Sequence, residues 1–155
     1  MKEDQIQPKK FRLPPTYFNL SWIAMVLLHF TFPIYRFLTI PYNLVGIILM
    51  LAGLWINLWA SNYFKKVDTT IKPFQTSTHL VTVGFYKYSR HPMYLGMLLI
   101  LLGIFLLLGS LSPIIILPIY IALITRNFIL PEEKMLQETF GDAYQKYKIK
   151  VRRWI

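Results

Sequence analysis

The fold is decided by residues 93–130, which read MYLGMLLILLGIFLLLGSLSPIIILPIYIALITRNFIL. Two apolar runs, residues 93–111 and 113–130, are separated here by a short turn that contains Gly, Ser and Pro. A helix needs roughly 20 apolar residues to cross the hydrocarbon core, within a range of about 17 to 25. Only Arg126 is charged in the whole stretch. The sequence therefore predicts a helical hairpin inside a membrane.

Two further apolar runs, residues 17–35 and 42–64, precede the hairpin. The chain has 155 residues, enough for one domain, and its 55% hydrophobic content exceeds that of ordinary soluble domains. We predict an all-α integral membrane protein with about four transmembrane helices. Residues 1–64 would form a two-span scaffold, and residues 65–155 a cofactor-binding loop, the hairpin and a final helix. The polar start is too long for a signal peptide and lacks a small-residue cleavage site, so we expect a retained first span.

The basic residues are distributed unevenly, and they give a net charge of +10. With four spans, sixteen of the seventeen lysines and arginines lie on one side of the membrane, and only Arg36 lies on the other. Cytoplasmic segments are rich in Lys and Arg, so both termini and the middle loop are predicted to be cytoplasmic. A basic face beside anionic headgroups explains the charge without nucleic acid. We expect a multi-pass protein of a prokaryotic inner membrane, with the lipid bilayer as its partner.

The segment after the hairpin has a helical pattern. Apolar residues recur at spacings of three or four, at Leu136, Phe140, Tyr144, Tyr147 and Val151. This pattern predicts a cytoplasmic amphipathic helix that lies along the membrane surface or packs over the cytoplasmic ends of the spans. Glycine weakens a helix interior by about 1 kcal/mol relative to alanine, so we predict a bend at Gly141.

Two polar clusters are predicted to meet, because the start of one hairpin helix lies beside the end of the other. The first comprises Gly84, Tyr86, Tyr88, Arg90, His91, Pro92 and Tyr94, and the second comprises Arg126, Asn127, Glu132 and Glu133. Singly, the arginines and tyrosines suit interfacial anchors, and the glutamates suit the first turn of a helix. Their convergence at one membrane depth favours a binding site, because ionisable groups that face a bundle usually mark one.

The two clusters have complementary chemistry. Free backbone N–H groups at the start of the hairpin form an anion site, and the glutamate pair accepts hydrogen bonds from an ammonium group. An amino acid zwitterion fits between them. The chain has no cysteine, which excludes disulfides and thiolate metal sites, and we predict no metal.

Two blocks of the sequence resemble a known family. Residues 83–96, VGFYKYSRHPMYLG, and residues 132–155, EEKMLQETFGDAYQKYKIKVRRWI, are similar to the signature of the isoprenylcysteine carboxyl methyltransferase and phospholipid methyltransferase superfamily. The preceding segment, TTIKPFQTSTHLVT, is typical of its smaller microbial members. The resemblance covers residues 69–155, slightly more than half of the chain.

The resemblance implies an integral membrane enzyme that takes a methyl group from S-adenosylmethionine. By that resemblance the cofactor is held by Arg90, His91, Pro92, Tyr94, Glu132 and Glu133. Aromatic faces of Tyr86 and Tyr94 favour the cationic sulfonium. Arg126 matches a family arginine that faces the reacting groups, and we assign Arg126 and Arg90 as catalytic. The acceptor would be a lipophilic molecule with a carboxylate or an amine. Animal members have additional spans, so this acceptor need not be a prenylcysteine.

Two other functions remain open at this point. One is an NADPH-dependent reductase similar to the sterol reductases, and the other is a non-catalytic membrane scaffold. A haem bound between His29 and His91 is disfavoured, because the predicted depths of these residues differ by about half a bilayer. We expect His29 to pack or to hydrogen-bond inside the bundle.

Overall fold

The computed structural model describes residues 13–66 and 80–155. Five α-helices follow in order: α1 (Pro14–Thr31), α2 (Val45–Lys66), α3 (Pro92–Leu108), α4 (Ile116–Ile124) and α5 (Leu130–Lys150). Short 3-10 turns occupy Tyr42–Leu44, Gly84–Lys87 and Ser112–Ile115, and a π-helical turn, Thr125–Ile129, joins α4 to α5. Residues 67–79 of the predicted cofactor-binding loop lie outside the described residues, as do residues 1–12.

Two helices are long and apolar enough to cross a membrane, Tyr42–Phe64 and Ser112–Lys150, and Pro92–Leu108 is a shorter apolar helix. The second of the long helices has 39 residues, or about 58 Å of helix measured along its bent axis. The hydrocarbon core is about 30 Å thick, so the apolar part, residues 112–130, is long enough to cross it, and the polar part begins at Glu132. The helical class and the membrane character are confirmed. The count of four spans stays a prediction.

The long helix differs from the predicted arrangement at one point. We predicted a span that ended near Leu130 and a separate amphipathic helix after it. In the structure α5 continues α4 through the π-helical turn, and the residues at both junctions, Ile124 and Leu130, keep helical φ and ψ values. The chain departs from helical geometry at Gly141, where φ is 50° and ψ is −122°. The predicted bend is confirmed, and it divides α5 into two arms.

Glycines allow α2 and α3 to pack closely. A Cβ atom at Gly46 would collide with the carbonyl oxygen of Gly103, and one at Gly53 would collide with the carbonyl oxygen of Gly96. Small residues of this kind let helix backbones approach each other in membranes, where dispersion forces and hydrogen bonds hold helices together. Asn43 adds a hydrogen bond of 2.9 Å from its Nδ2 to the carbonyl oxygen of Leu107.

The two short connections meet at one end of the bundle. Arg36 forms an isolated bridge with Ser110, and the N–H of Phe37 donates to the carbonyl of Gly109 at 2.9 Å. His29 Nδ1 lies 2.7 Å from the Ser110 hydroxyl, so the predicted hydrogen-bonding role of His29 is confirmed. This end lies one full length of α3, 17 residues or about 26 Å, from His91.

The far arm of α5 returns toward the start of α3. Its apolar stripe is buried, with Tyr144, Tyr147 and Val151 in one cluster against Leu80, Leu136 and Phe140. Residues 151–155, which we name the strap, leave the helix in extended conformation at Val151. The N–H of Arg90 donates to the carbonyl of Arg152 at 3.0 Å, and the Ser89 hydroxyl donates to the carbonyl of Arg153 at 3.2 Å. The strap therefore lies across the residues that begin α3.

Candidate functional site

The two predicted polar clusters meet in the structure. His91 is the N-cap residue of α3, and Pro92 occupies the first turn, where a missing N–H costs no hydrogen bond. Glu132 and Glu133 lie in the first turn of α5. A salt bridge of 2.7 Å from Arg90 to Glu133 joins the clusters across 43 residues of sequence.

Glu133 is the more enclosed of the two glutamates, with 6% of its side chain exposed. Arg90 Nη2 and Arg153 Nε donate to its Oε1 at 2.7 and 2.9 Å, and Arg153 Nη2 donates to its Oε2 at 2.8 Å. Burial on its own raises the pKa of this carboxyl group, but hydrogen bonds from Arg153, His91 and Arg90 hold the pKa well below its ordinary value. Glu133 is therefore an ionised carboxylate whose acceptor positions are occupied by protein donors.

Arg90 connects three parts of the structure. Besides Glu133, its Nη1 donates at 3.1 Å to the carbonyl of Lys148 and at 3.1 Å to the carbonyl of Val151, at the end of α5. A guanidinium group presents five donors in a fixed fork, which suits it to such bridging. The remaining nitrogen, Nε, is buried and has no hydrogen-bond partner among the described residues. The contacts of Arg90 are those of a residue that orders the site, and its catalytic assignment stays a prediction.

Glu132 has a different environment from Glu133. Its side chain is 32% exposed, and its Oε2 accepts from the Tyr94 hydroxyl at 3.4 Å and lies 3.7 Å from His91 Nδ1. Burial raises the pKa of Glu132, and the charge of Glu133 raises it further, against the opposing effects of His91 and Tyr94. Both contacts are long, so this carboxylate retains acceptor capacity for a ligand.

His91 lies between the two glutamates. Its side chain is 2% exposed, and its Nε2 lies 3.4 Å from Glu133 Oε1. The imidazole ring stacks on Tyr94, with centroids 5.8 Å apart and an interplanar angle of 28°. The main-chain N–H of His91 donates to the Ser89 hydroxyl at 3.2 Å. These contacts fix the ring, and they orient the Tyr94 hydroxyl toward Glu132.

Tyr86, also predicted to contact the cofactor, is a buried residue of the 3-10 turn before α3. Its carbonyl accepts from the Tyr147 hydroxyl at 2.7 Å, and its ring meets Phe64 of α2 edge to face. The Tyr144 hydroxyl is buried and has no hydrogen-bond partner among the described residues. The far arm of α5 thus contributes aromatic groups to the site.

The π-helical turn brings a second polar group toward α1. Asn127 Nδ2 donates to the Tyr17 hydroxyl at 3.4 Å, and the Tyr17 ring packs edge to face on Phe128 with centroids 5.4 Å apart. Phe128 in turn contacts Tyr94, at 6.4 Å between centroids. An aromatic wall therefore extends from the carboxylate of Glu132 to α1, which we had assigned to the scaffold.

Arg126 is exposed and forms no salt bridge with Glu132 or Glu133 in the part of the chain that the structure describes. It lies in the π-helical turn, one turn before α5. Turns of this kind are frequently found at functional sites, and the extra residue changes the direction of the side chains that follow. The structure leaves the Arg126 guanidinium available to a molecule outside the bundle.

Three features of the site escaped the sequence analysis. The π-helical turn has no sequence signature, and neither does the contact of Tyr17 with Asn127 across 110 residues. Arg153 was visible only as part of a basic stretch, which alone indicates a surface. The pairing of Arg153 with Glu133 depends on the bend at Gly141, which directs the strap back to α3.

Comparisons with known proteins agree with the resemblance. A family model described as phospholipid methyltransferase matches residues 42–143. A protein-S-isoprenylcysteine O-methyltransferase of Schizosaccharomyces pombe is 38% identical over 72 residues, 46% of this chain and 30% of the yeast enzyme. The chain thus matches about a third of that enzyme. An uncharacterised protein of Haemophilus influenzae is 46% identical over 63 residues, 41% of this chain and 100% of that protein. No solved structure matches.

Proposed function

We propose, because this chain belongs to the phospholipid methyltransferase family, that it transfers a methyl group from S-adenosylmethionine to a lipophilic acceptor at the cytoplasmic membrane face. The observation that carries this proposal is the environment of Glu132. Its carboxylate is partly exposed and retains acceptor capacity beside His91 and Tyr94, in the block that resembles the family signature.

The residues present fit the methyl donor. The cofactor has an ammonium, a carboxylate and a sulfonium, so it needs an acceptor, donors and an aromatic face. Glu132 offers the acceptor, and the ring of Tyr94 offers an aromatic face for a cation. Two buried polar atoms that have no hydrogen-bond partner among the described residues, Arg90 Nε and the Tyr144 hydroxyl, add donor capacity near the glutamates. Glu133 is the poorer candidate for the ammonium, because protein donors occupy its oxygens.

S-adenosylmethionine supplies an electrophilic methyl group on a sulfonium when it is bound. The chain's own contribution to such an in-line displacement is positioning and exclusion of water. Glu132 and Tyr94 would hold the methyl donor, and Arg126 would orient an anionic group of the acceptor from the π-helical turn. The acceptor would enter from the bilayer along the aromatic wall of Tyr17, Phe128 and Tyr94.

The chemistry of the acceptor follows from the groups available. A carboxylate is a nucleophile at neutral pH, whereas an ammonium must first lose a proton to a base. His91 is the nearest base, but its ring contacts the two glutamates and is 2% exposed. We therefore favour a carboxylate or an unprotonated amine on a lipid.

Binding of radiolabelled S-adenosylmethionine to the purified protein tests the proposal, followed by transfer of the label into a membrane lipid extract. We expect saturable binding and a labelled lipid 14 Da heavier than its precursor. Saturable binding of NADPH instead would support the reductase alternative, and binding of neither molecule would support a scaffold. An excess of unlabelled cofactor is the control for specific binding.

A further inference from the structure

Arg153 of the strap makes the most complete ion pair at the site. Its guanidinium binds Glu133 through both oxygens, Nε to Oε1 at 2.9 Å and Nη2 to Oε2 at 2.8 Å. Its carbonyl accepts from the Ser89 hydroxyl, so the main chain of the residue is fixed as well. Hydrogen bonding to Glu133 raises the pKa of Arg153, in agreement with a persistent pair. Bidentate pairs of this type fix geometry as well as charge.

The pair determines the orientation of the Glu133 carboxylate. Oε1 has other donors in Arg90 and His91, but Arg153 is the one donor to Oε2 among residues 13–66 and 80–155. With 6% of its side chain exposed, Glu133 has little access to water that would replace a lost donor. Without Arg153, the carboxylate would keep its charge and lose the contact that directs it away from the neighbouring Glu132.

We propose that Arg153 is a positioning residue for the cofactor: it holds Glu133 through both oxygens, so that Glu132 alone receives the ammonium group of S-adenosylmethionine. This inference rests on the proposed function. Arg153 itself does not touch the cofactor in this arrangement. It acts through Glu133, and the strap is the element that brings it there.

Loss of Arg153 should make the affinity for S-adenosylmethionine depend on pH. Glu132 is faced by His91 and Tyr94 of α3, Tyr86 of the 3-10 turn, Glu133, and Tyr144 of the far arm of α5. Two adjacent carboxylates disfavour each other's ionisation unless cations compensate one of them. Removal of Arg153 exposes Glu132 to the charge of Glu133, so Glu132 takes up a proton more readily. Because ammonium binding needs the ionised form, the loss of affinity is largest at low pH.

The experiment compares Arg153→Gln with Arg152→Gln in the full-length protein in nanodiscs. Arg152 is an exposed neighbour whose side chain forms no hydrogen bond or salt bridge among the described residues, and both variants lose one positive charge from the strap. The dissociation constant of radiolabelled S-adenosylmethionine is measured from pH 6 to 8.5, together with the melting temperature. We expect Arg153→Gln to weaken binding tenfold or more at pH 6 and by a smaller factor at pH 8.5. Arg152→Gln should stay within about twofold of the unmodified protein, since a surface charge contributes little.

Arg153→Lys separates charge from geometry. It keeps the compensating charge and loses the fork, so the ratio of its dissociation constant to that of the unmodified protein should be the same at every pH. A pH-dependent loss of affinity in Arg153→Lys contradicts the electrostatic argument. This test can be made even if Arg153→Gln does not fold. Equal affinities for Arg153→Gln and Arg152→Gln overturn the inference, and so does a pH-independent loss in Arg153→Gln. If the unmodified protein binds no S-adenosylmethionine, the proposed function fails and the inference fails with it.

Discussion

Arg90 Nη2 lies 2.7 Å from Glu133 Oε1, and this contact connects the N-terminus of α3 to the first turn of α5. Both side chains are almost fully enclosed, at 7% and 6% exposure. Burying charges is costly unless they pair and the remaining donors and acceptors are satisfied. The carbonyls of Lys148 and Val151 and the guanidinium of Arg153 supply most of those partners, and Arg90 Nε is the one nitrogen of that side chain that lacks a partner among the described residues. The ion pair thus organises the site, and Glu132 is left as the glutamate open to a ligand.

The two glutamates should respond oppositely when each is replaced by glutamine. Glu132→Gln removes the charged partner of the cofactor's ammonium, so the dissociation constant of S-adenosylmethionine should rise at least tenfold, if one charged hydrogen bond contributes about 1.5 to 3 kcal/mol. The pKa of Glu132 is raised in the folded state, so its contribution to stability is present below the unfolded pKa and lost as pH rises. Glu132→Gln should therefore raise the melting temperature at neutral pH.

Glu133→Gln should instead lower the melting temperature, by the equivalent of about 3 kcal/mol, because it breaks a buried ion pair. The pKa of Glu133 is lowered in the folded state, so its contribution is present above the unfolded pKa of about 4.3 and lost as pH falls toward the folded pKa. As the pH falls below about 4.3, the melting temperature of Glu133→Gln should therefore decrease less than that of the unmodified protein. Thermal melting in detergent from pH 3 to 8 measures both effects. Identical melting temperatures and identical affinities in the two variants would indicate that both glutamates interact only with the dipole of the helix.

The apolar periods and the paired polar clusters were sufficient to predict helices, the hairpin and the meeting of the two polar clusters, but not the pairing of Arg90 with Glu133. Hydrophobic length and short-turn chemistry determine these features locally. The bend at Gly141 was also predictable, because glycine is the residue that adopts a positive φ at low cost. The direction that the chain takes after this bend depends on the packing of Tyr144 and Tyr147 against Leu136, which no local pattern encodes.

The different environments of Glu132 and Glu133 could not be predicted, because adjacent identical residues carry the same sequence signal. Their environments differ through the three-dimensional position of Arg153, 20 residues after Glu133. The π-helical turn was missed for a similar reason. One extra residue per turn leaves the apolar pattern of residues 113–130 intact, and tertiary contacts such as Tyr17 with Asn127 accompany it.

Gly141→Ala should weaken both stability and cofactor binding. Apart from its chain neighbours and the backbone of its own helix, no described residue has an atom within 4 Å of a Cβ at this position, so space is available. However, a φ of 50° with a ψ of −122° is a conformation that residues with a side chain rarely adopt. Such strain costs about 1 to 3 kcal/mol. We expect a lower melting temperature and a weaker affinity for S-adenosylmethionine, because the strap would be displaced from Glu133.

Asp142→Ala is the matched control, as it places alanine beside the bend without a positive φ, and it should retain the affinity of the unmodified protein. Hydrogen exchange of the amides of Arg90 and Val151 reports the position of the strap directly. Full protection in Gly141→Ala would show that the bend does not depend on glycine.

The membrane topology should place the two short connections on the side opposite to the candidate site. The structure brings Arg36 and Ser110 together at one end of the bundle, and sixteen of seventeen basic residues belong to the other predicted side. Reporter fusions after Ile155 and between Arg36 and Pro41 should give opposite signals, cytoplasmic for the first. Signals on the same side would mean that an even number of spans, and not three, separates the two positions, so that the four-span prediction is wrong.

Arg126 should contribute to turnover and not to cofactor binding. Its side chain is exposed in the π-helical turn and makes no salt bridge with Glu132 or Glu133 among the described residues, so pairing with these two glutamates is disfavoured. A charge near the membrane end of a helix needs a partner, and an acceptor carboxylate or phosphate would provide one. Arg126→Lys keeps the charge and loses the bidentate fork. Turnover should fall about tenfold or more, if one such contact contributes at least about 1.4 kcal/mol in the transition state. The dissociation constant of S-adenosylmethionine should stay within about twofold of that of the unmodified protein.

Arg36→Lys is the matched control, because Arg36 is an exposed arginine at the opposite end of the bundle, and this variant should leave both quantities unchanged. If Arg126→Lys loses cofactor binding and turnover together, Arg126 belongs to the cofactor site, and its assignment to the acceptor is wrong.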